Sequence, residues 1–130
     1  MGKAHSNAYA QAPHFYDLPY SLSRKLICGR DASSLASMAA RWGWDETCTD
    51  WRAAIERKDI DAVDICLPNH LHAPVAIAAA EAGKIVMCEK PLALTIDDAR
   101  AMTRAAKNVP TLVWFNYRRV PAIEIGRAHV

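Results

Sequence analysis

The sequence predicts an α/β protein built on a doubly wound parallel sheet. Short apolar runs alternate with stretches of helical periodicity, in the order helix then strand, repeated along the chain. Strands that are joined by helices pair in parallel, through right-handed crossovers that place helices on both faces of the sheet. With 130 residues, the chain has room for one domain and too few residues for two ordinary ones.

In the first half of the chain, proline, glycine and aspartate mark where the elements begin and end. Pro13 is expected to stop an alanine-rich first helix, and Gly43 to end the second helix at its carboxyl end. Asp50 is expected to cap the third helix. The predicted elements are helix 3–12, strand 25–28, helix 33–42, a minor strand 47–49 and helix 50–57.

The second half repeats the alternation more clearly. Pro74 is tolerated in the first turn of a strong helix, which Gly83 ends. Asp97 and Asp98 lie in the first turn of the last helix, where negative charge favours the helix dipole. The predicted elements are strand 61–67, helix 73–82, strand 84–88, helix 95–107 and strand 111–115.

Composition excludes several classes of partner. The hydrophobic fraction of 52% and charged fraction of 23% are typical of a globular chain. A formal net charge of +2 is too small to indicate nucleic acid or an anionic membrane as a partner. No apolar run approaches the roughly 20 residues of a membrane span, and the first residues do not resemble a signal peptide. We therefore expect a cytoplasmic protein.

The cysteines are expected to be reduced and structural. No pair has the spacing of metal ligands, so we predict no metal site. Most of them fall within or at the ends of apolar runs, where a free cysteine behaves as a small buried hydrophobe. The reduced state suits the cytoplasm. The four residues are Cys28, Cys48, Cys66 and Cys88.

A lysine that follows a buried strand and precedes proline indicates a position facing a ligand. The apolar run 84–88 is followed by Glu89, Lys90 and Pro91. Open α/β sheets bind ligands at the carboxyl ends of their strands, and proline forces the chain out of the sheet. We interpret Lys90 as an amine aimed into a crevice; the alternative is a surface Lys-Pro turn.

The amino terminus resembles the end of a dinucleotide-binding loop. A Rossmann-type domain begins with a strand, a G-x-G-x-x-G loop and a helix, and residues 1–5 match the last part of that loop, with Gly2 as its final glycine. We therefore expect the first strand and most of the glycine-rich loop to be missing. Two neighbouring strands would then have unpaired edges, and the N–H groups that bind pyrophosphate would be absent.

The carboxyl terminus has a different origin in our interpretation. Residues 125–130 can be back-translated into a sequence that resembles the start of a common sequencing-library adapter. We interpret residues 1–124 as a partial nucleotide-binding domain and residues 125–130 as a non-native read-through tail. A native tail is the alternative, and the codons of the underlying DNA distinguish the two.

A set of short motifs, in order over residues 1–123, resembles the N-terminal domain of the Gfo/Idh/MocA oxidoreductases, the family of glucose–fructose oxidoreductase and inositol dehydrogenase. Each motif alone is weak, and their order and spacing carry the resemblance. They are Met1-Gly2-Lys3-Ala4-His5, Cys28-Gly29-Arg30-Asp31, Thr49-Asp50-Trp51, Pro68-Asn69-His70-Leu71-His72, Ala82-Gly83-Lys84, Glu89-Lys90-Pro91 and Asn116-Tyr117-Arg118 with Pro121-Ala122.

The resemblance implies an NAD(P)-dependent oxidoreductase that transfers hydride between nicotinamide and a hydroxyl-bearing carbon of a sugar, polyol or related compound. It implies that Lys90 is the catalytic residue, bonded to the reacting hydroxyl beside the nicotinamide, where an ammonium stabilises a developing alkoxide. Glu89 then helps to form the cofactor pocket. Neither nucleic acid nor a membrane is an expected partner.

Other cofactor contacts are implied at the same sheet edge. Pro68 and Asn69 end a strand there, so that Asn69 reaches the ribose or amide of the cofactor. His72 resembles the family's histidine near the nicotinamide; the alternative is a surface histidine at a helix start. Arg118 follows the last strand and lines the cofactor or substrate crevice, with a solvated loop arginine as the alternative.

The predicted contacts with the adenosine half of the cofactor leave alternatives open. His5 follows the glycine turn and contacts phosphate or only packs. An acidic residue after the second strand suits the ribose 2′-hydroxyl of NAD, and an arginine there suits the 2′-phosphate of NADP. The chain offers Arg30 and Asp31 side by side, so the expected cofactor is NAD(P).

The acid–base residues of such enzymes lie in a second α/β domain, which we expect to be absent here and through which the parent protein forms homo-oligomers. The 130-residue chain alone is therefore expected to be inactive and to bind cofactor weakly. The alternative function is a non-catalytic nucleotide-binding or regulatory module of the same fold.

Overall fold

The computed structural model describes residues 1–121, which divide into two compact units, Met1–Asp61 and a second that begins at Ala62. The predicted order of alternating helices and strands is confirmed in both units. The predicted read-through tail, residues 125–130, lies outside the described residues. No helix within residues 1–121 is both long enough and apolar enough to span a membrane.

The first unit contains three helices and a two-stranded parallel sheet. In this sheet Leu26 pairs with Glu46, and Cys28 with Cys48. Leu35 and Ile55 are its buried apolar side chains. The elements are α1 (Gly2–Phe15), β1 (Leu26–Cys28), α2 (Ala32–Trp42), β2 (Glu46–Cys48) and α3 (Trp51–Glu56).

The second unit contains a three-stranded parallel sheet in the order β3-β4-β5. In register, Ile65 of β3 pairs with Cys88 of β4, and Cys88 with Val113 of β5. The elements are β3 (Ala62–Ile65), a 3₁₀ turn (Asn69–Leu71), α4 (His72–Glu81), β4 (Ile85–Cys88), α5 (Ile96–Ala105), a 3₁₀ turn (Ala106–Asn108), β5 (Thr111–Val113) and a 3₁₀ turn (Asn116–Arg119).

The core of the second unit lies where α4 packs on β3 and β4. Most of α4 is alanine and valine, and its short side chains let the helix approach the strands closely. Ile65 and Cys88 are almost completely buried on the strands. The buried apolar side chains of this unit are Ile65, Ala73, Val75, Ala76, Ala79, Ala80, Val86, Cys88 and Met102.

Local sequence chemistry explains the helix ends. Asp50 Oδ1 accepts a hydrogen bond from the Arg52 N–H at 2.9 Å, and Thr95 Oγ1 accepts one from the Asp98 N–H at 3.1 Å. Such caps satisfy N–H groups that have no partner inside the helix. Gly43 follows α2 with φ of 66°, and Gly83 follows α4 with φ of 75°, a left-handed conformation that glycine adopts without strain.

Three element predictions are corrected. The first helix does not stop near Pro13 but continues to Phe15, because proline in a last turn sacrifices only one N–H, and the Tyr16 N–H still donates to Ala12 O. The strands predicted as 61–67 and 111–115 are Ala62–Ile65 and Thr111–Val113. At the end of β5 the Phe115 N–H donates to Val113 O at 2.7 Å, so the chain turns on itself there instead of continuing the strand.

The prediction that two neighbouring strands have unpaired edges is confirmed for the described strands. The described strands form two parallel sheets, β1-β2 and β3-β4-β5, and no described strand pairs with both β1 and β3. A sheet extends only as far as a neighbouring strand supplies N–H and C=O partners. The parallel α/β class is confirmed in each unit.

An ion-pair cluster in the first unit should make its stability sensitive to acid. Arg57 bonds both Glu46 and Asp59, and Lys25 adds a 2.8 Å contact to Glu46. The hydrogen bonds from Arg57 lower the pKa of Glu46 and of Asp59 to about 2. A depressed pKa stabilises the fold above the ordinary carboxyl pKa, and that contribution disappears as the pH falls towards 2.

We therefore expect urea stability to fall between pH 4.5 and about 2, and Glu46→Gln to reduce that fall. Asp97→Asn is the control, since Asp97 is fully solvated beside Arg100. Equal pH profiles for the wild type and Glu46→Gln would contradict the role of the cluster.

Candidate functional site

Three loops of the second unit leave the sheet side by side. Because β3, β4 and β5 are parallel, their carboxyl ends lie at one edge. The ladder extends past the strands, with the Glu89 N–H donating to Ile65 O at 3.0 Å and the Trp114 N–H donating to Cys88 O at 2.9 Å. The segments that begin at these points carry Asn69, Lys90 and Arg118.

Lys90 lies at an open cleft. The cleft has a volume of about 620 Å³ and is lined by Lys90, Phe115, Asn116, Tyr117 and Arg118. The Lys90 side chain is exposed, and no ion pair within the described part of the chain engages its ammonium. The loop after β4 and the loop after β5 therefore place two cations, Lys90 and Arg118, on the same concave surface.

Glu89 holds the backbone on which Lys90 is presented. Its carboxylate is almost completely buried, and Oε2 accepts a hydrogen bond from the Lys90 N–H at 2.8 Å. The following Lys90–Pro91 peptide bond is cis. Glu89 thus contacts the backbone of Lys90 and leaves the ammonium directed to the cleft surface.

The cysteines near this edge are not nucleophiles. Burial raises the pKa of the Cys66 thiol to about 12 and that of Cys88 to about 11, and the negative charges of Asp64 and Glu89 add to both shifts. A thiol with so high a pKa stays protonated near neutral pH. Cys88 is buried as predicted, whereas Cys28, Cys48 and Cys66 are only half-buried.

His72 lies at the start of α4. Its side chain is completely buried, with Nδ1 2.9 Å from Pro91 O and Nε2 2.9 Å from Leu67 O. Both ring nitrogens are engaged by backbone carbonyls, so the imidazole has no polar atom left for a ligand in this structure. The alternative of a surface histidine is therefore wrong, and contact with the cofactor stays a prediction.

Pro68 and Asn69 lie on the loop after β3. Asn69 is exposed and begins the 3₁₀ turn, and the Leu71 N–H donates to Pro68 O at 2.9 Å. This turn leads directly into α4. The amide of Asn69 is therefore accessible at the edge from which Lys90 also projects.

The predicted contacts at the start of the chain lie on α1. Gly2 is the first residue of the helix, and a Cβ built there meets no atom within 4 Å. His5 is half-buried and packs edge to face against Tyr9, with ring centroids 6.5 Å apart. The described contacts of His5 agree with a packing role, and phosphate contact stays a prediction.

Arg30 and Asp31 follow β1, and the structure distinguishes them. Asp31 caps α2, its Oδ1 accepting the Ser34 N–H at 2.6 Å, and hydrogen bonds from Ser34 lower its pKa. Arg30 is exposed. The preceding Gly29 permits close packing, since a Cβ there lies 3.1 Å from the Leu35 side chain. The Asp31 carboxylate thus stabilises the start of α2, and the Arg30 side chain is accessible to a ligand.

Three cleft residues were not predicted as site residues, although two of them belong to a motif of the family. Phe115, Asn116 and Tyr117 line the cleft with Lys90 and Arg118, and Tyr117 is 74% exposed. The sequence pattern that could have predicted them is an apolar strand followed directly by aromatic and amide residues, because aromatic side chains often line ligand pockets. No sequence pattern predicts the contacts of the His72 ring with the carbonyl oxygens of Pro91 and Leu67.

Parallel strands joined by helices form an open α/β domain, which binds its ligands at the carboxyl ends of the strands. The family model described as the oxidoreductase family with an NAD-binding Rossmann fold, GFO_IDH_MocA, matches residues 1–117. The chain therefore belongs to the Gfo/Idh/MocA oxidoreductase family, as its motifs indicated, and is an NAD-binding domain.

Similar proteins agree with this assignment. Levoglucosan dehydrogenase from Pseudarthrobacter phenanthrenivorans is 47% identical over the whole chain and 34% of its own length. A crystal structure of an oxidoreductase domain protein from Kribbella flavida is 49% identical, with a TM-score of 0.92 over 98% of this chain and 36% of its own. A levoglucosan dehydrogenase structure in complex with NADH and levoglucosan is 47% identical, with a TM-score of 0.93 over 99% of this chain and 36% of its own. The chain thus spans about a third of these relatives' length.

Proposed function

We propose that this chain forms the coenzyme-binding domain of an oxidoreductase that transfers hydride between NAD and a hydroxyl-bearing carbon of a sugar or polyol. One observation carries the proposal: Lys90 and Arg118 line one cleft at the carboxyl edge of the sheet. The 47% identity to a levoglucosan dehydrogenase supports a sugar-type substrate.

The residues around the cleft fit a dinucleotide in their chemistry. Exposed cations suit its phosphates or a developing oxyanion, the amides of Asn69 and Asn116 suit hydroxyl and carboxamide groups, and Tyr117 offers an aromatic face. We assign Asn69, Lys90 and Arg118 to binding on the nicotinamide side. Nicotinamide supplies the hydride acceptor when it is bound.

In this proposal Lys90 is the catalytic residue. As the substrate hydroxyl loses its proton and its carbon loses hydride, negative charge develops on the oxygen, and a preorganised ammonium stabilises that charge. Glu89 holds the Lys90 backbone N–H, so that the ammonium is presented from a fixed loop. The proton acceptor is not among the residues that we assign.

A second candidate is a nucleotide-binding module without catalysis, since a fold does not by itself define an activity. The placement of Lys90 at the cleft favours the enzyme. The two candidates differ in turnover: both bind coenzyme, but only the enzyme reduces it.

The test uses the protein translated from the complete reading frame that contains these residues. We expect NADH to form when NAD⁺ is mixed with levoglucosan or a related sugar or polyol, measured by absorbance. Hydroxy acids and amino acids serve as negative controls. Coenzyme binding by calorimetry without turnover of any sugar or polyol would support the second candidate instead.

We further infer that NADP is accepted through Arg30. The support is that Asp31 is occupied with capping α2, whereas Arg30 is exposed beside it. Because a hydrogen bond to a charged group contributes about 1.5–3 kcal/mol, Arg30→Ala should lower kcat/KM for NADP⁺ by roughly tenfold or more. Activity with NAD⁺ should change little, and Arg41→Ala, on the exposed end of α2, is the matched control. An equal loss with both coenzymes would refute the inference.

A further inference from the structure

His72 joins the two loops that carry Asn69 and Lys90. Nδ1 is 2.9 Å from the carbonyl oxygen of Pro91, the residue after Lys90. Nε2 is 2.9 Å from the carbonyl oxygen of Leu67, two residues before Asn69. A single ring thus spans two segments that are separated by more than twenty residues in sequence and adjacent at the sheet edge.

The chemistry of these contacts makes the ring a donor. Both partners are carbonyl oxygens, which only accept hydrogen bonds. A neutral imidazole carries one N–H and donates to one of the two carbonyls, and an imidazolium donates to both. At least one loop is therefore tied to His72 in every protonation state. A phenylalanine in the same place fills the volume and donates to neither loop.

The surroundings make the tie rigid. His72 is 0% exposed and is the first residue of α4, whose Ala73, Val75 and Ala76 are buried. A buried side chain in close-packed surroundings has little freedom to change rotamer. The ring therefore links the position of α4 to the backbone of the loops after β3 and β4.

We propose that His72 is a positioning residue for the reaction, which aligns the Lys90 loop with the Asn69 loop through the carbonyls of Pro91 and Leu67. The inference rests on the proposed function, in which Lys90 and Asn69 contact the reactants. A displacement of about 1 Å in a reacting group lowers a rate by roughly 100-fold. Loss of the tie should therefore act on kcat more than on folding.

The kinetic test compares His72→Phe, His72→Gln and Val75→Ala in the protein from the complete reading frame. Val75 is a buried residue of the same helix that belongs to neither loop, so Val75→Ala controls for destabilisation of α4. With rates normalised to folded protein, His72→Phe should lower kcat by roughly 10- to 100-fold. We expect His72→Gln, which keeps one donor group, to recover part of the loss, and Val75→Ala to keep the wild-type kcat.

A wild-type kcat in His72→Phe, or the same loss in Val75→Ala, would overturn the proposal. If His72→Phe does not fold, the test relies on His72→Gln. The proposal is then contradicted if the kcat of His72→Gln equals that of Val75→Ala. Hydrogen exchange supplies a readout that needs no activity: the amides of Glu89 and Lys90 should exchange faster in the His72 variants and not in Val75→Ala. If the wild-type protein shows no turnover, the proposed function is wrong. The hydrogen-exchange rates of the Glu89 and Lys90 amides then decide whether His72 connects the two loops.

Discussion

Lys90→Met is expected to lower kcat by a factor of about 10² to 10⁴ while coenzyme binding changes by only a few-fold, because the ammonium is needed most where charge develops on the substrate oxygen. Methionine keeps the length of the side chain and removes its charge. The measurement is steady-state NADH formation by the protein from the complete reading frame, with coenzyme affinity from fluorescence titration.

Two companion variants sharpen this experiment. Lys107→Met removes an exposed lysine from the 3₁₀ turn after α5 and should leave kcat unchanged. Lys90→Arg keeps the charge but replaces a compact ammonium by a planar guanidinium, so we expect activity between those of the wild type and Lys90→Met. If Lys90→Met turned over substrate at the wild-type rate, Lys90 would be a surface lysine and the catalytic assignment would fail.

The largest expected loss of stability comes from Ile65→Ala. Ile65 is 1% exposed and lies in β3 opposite Cys88, at the centre of the packing between the sheet and α4. Removing its methyl and methylene groups leaves a cavity and should cost about 2–5 kcal/mol. Natural domains are stable by only about 5–15 kcal/mol, so this loss removes much of the total.

Ile85→Ala is the matched control for Ile65→Ala. Ile85 is the same residue type in the neighbouring strand β4 and is 39% exposed, so its truncation removes less buried area. Urea unfolding followed by circular dichroism should give a free-energy loss for Ile85→Ala well below that for Ile65→Ala. Equal losses would mean that Ile65 is not at the centre of this core.

Elements set by local chemistry were predicted closely. Gly43 and Gly83 end their helices in the left-handed conformation and Asp50 caps its helix, as the residue types indicated, and Thr95 caps α5. These outcomes depend on φ preferences and on side chains that reach N–H groups two or three residues away. Pro13 was misjudged because its effect depends on where the helix ends, which the packing of the whole helix decides.

Some side chains of the candidate site were also predicted from the sequence, whereas the contacts of others are known only from the structure. Lys90 was predicted at the carboxyl edge because it follows a buried strand, and Arg118 because it matches a motif of the family; both residues line one cleft. Asp31 was weighed as a ribose contact, but its carboxylate caps α2. His72 is buried between two carbonyl oxygens, and its contact with the cofactor stays a prediction.

The sequence by itself determined the alternation of helices and strands, the parallel class and the strand ends at which Asn69, Lys90 and Arg118 lie, because hydrophobic period and turn residues act over a few positions. Tertiary structure alone decided that Phe115 and Tyr117 line the same cleft as Lys90, and that His72 lies between the carbonyl oxygens of Leu67 and Pro91. Such contacts join segments distant in sequence, and they depend on the path of the chain rather than on the preferences of any residue along it.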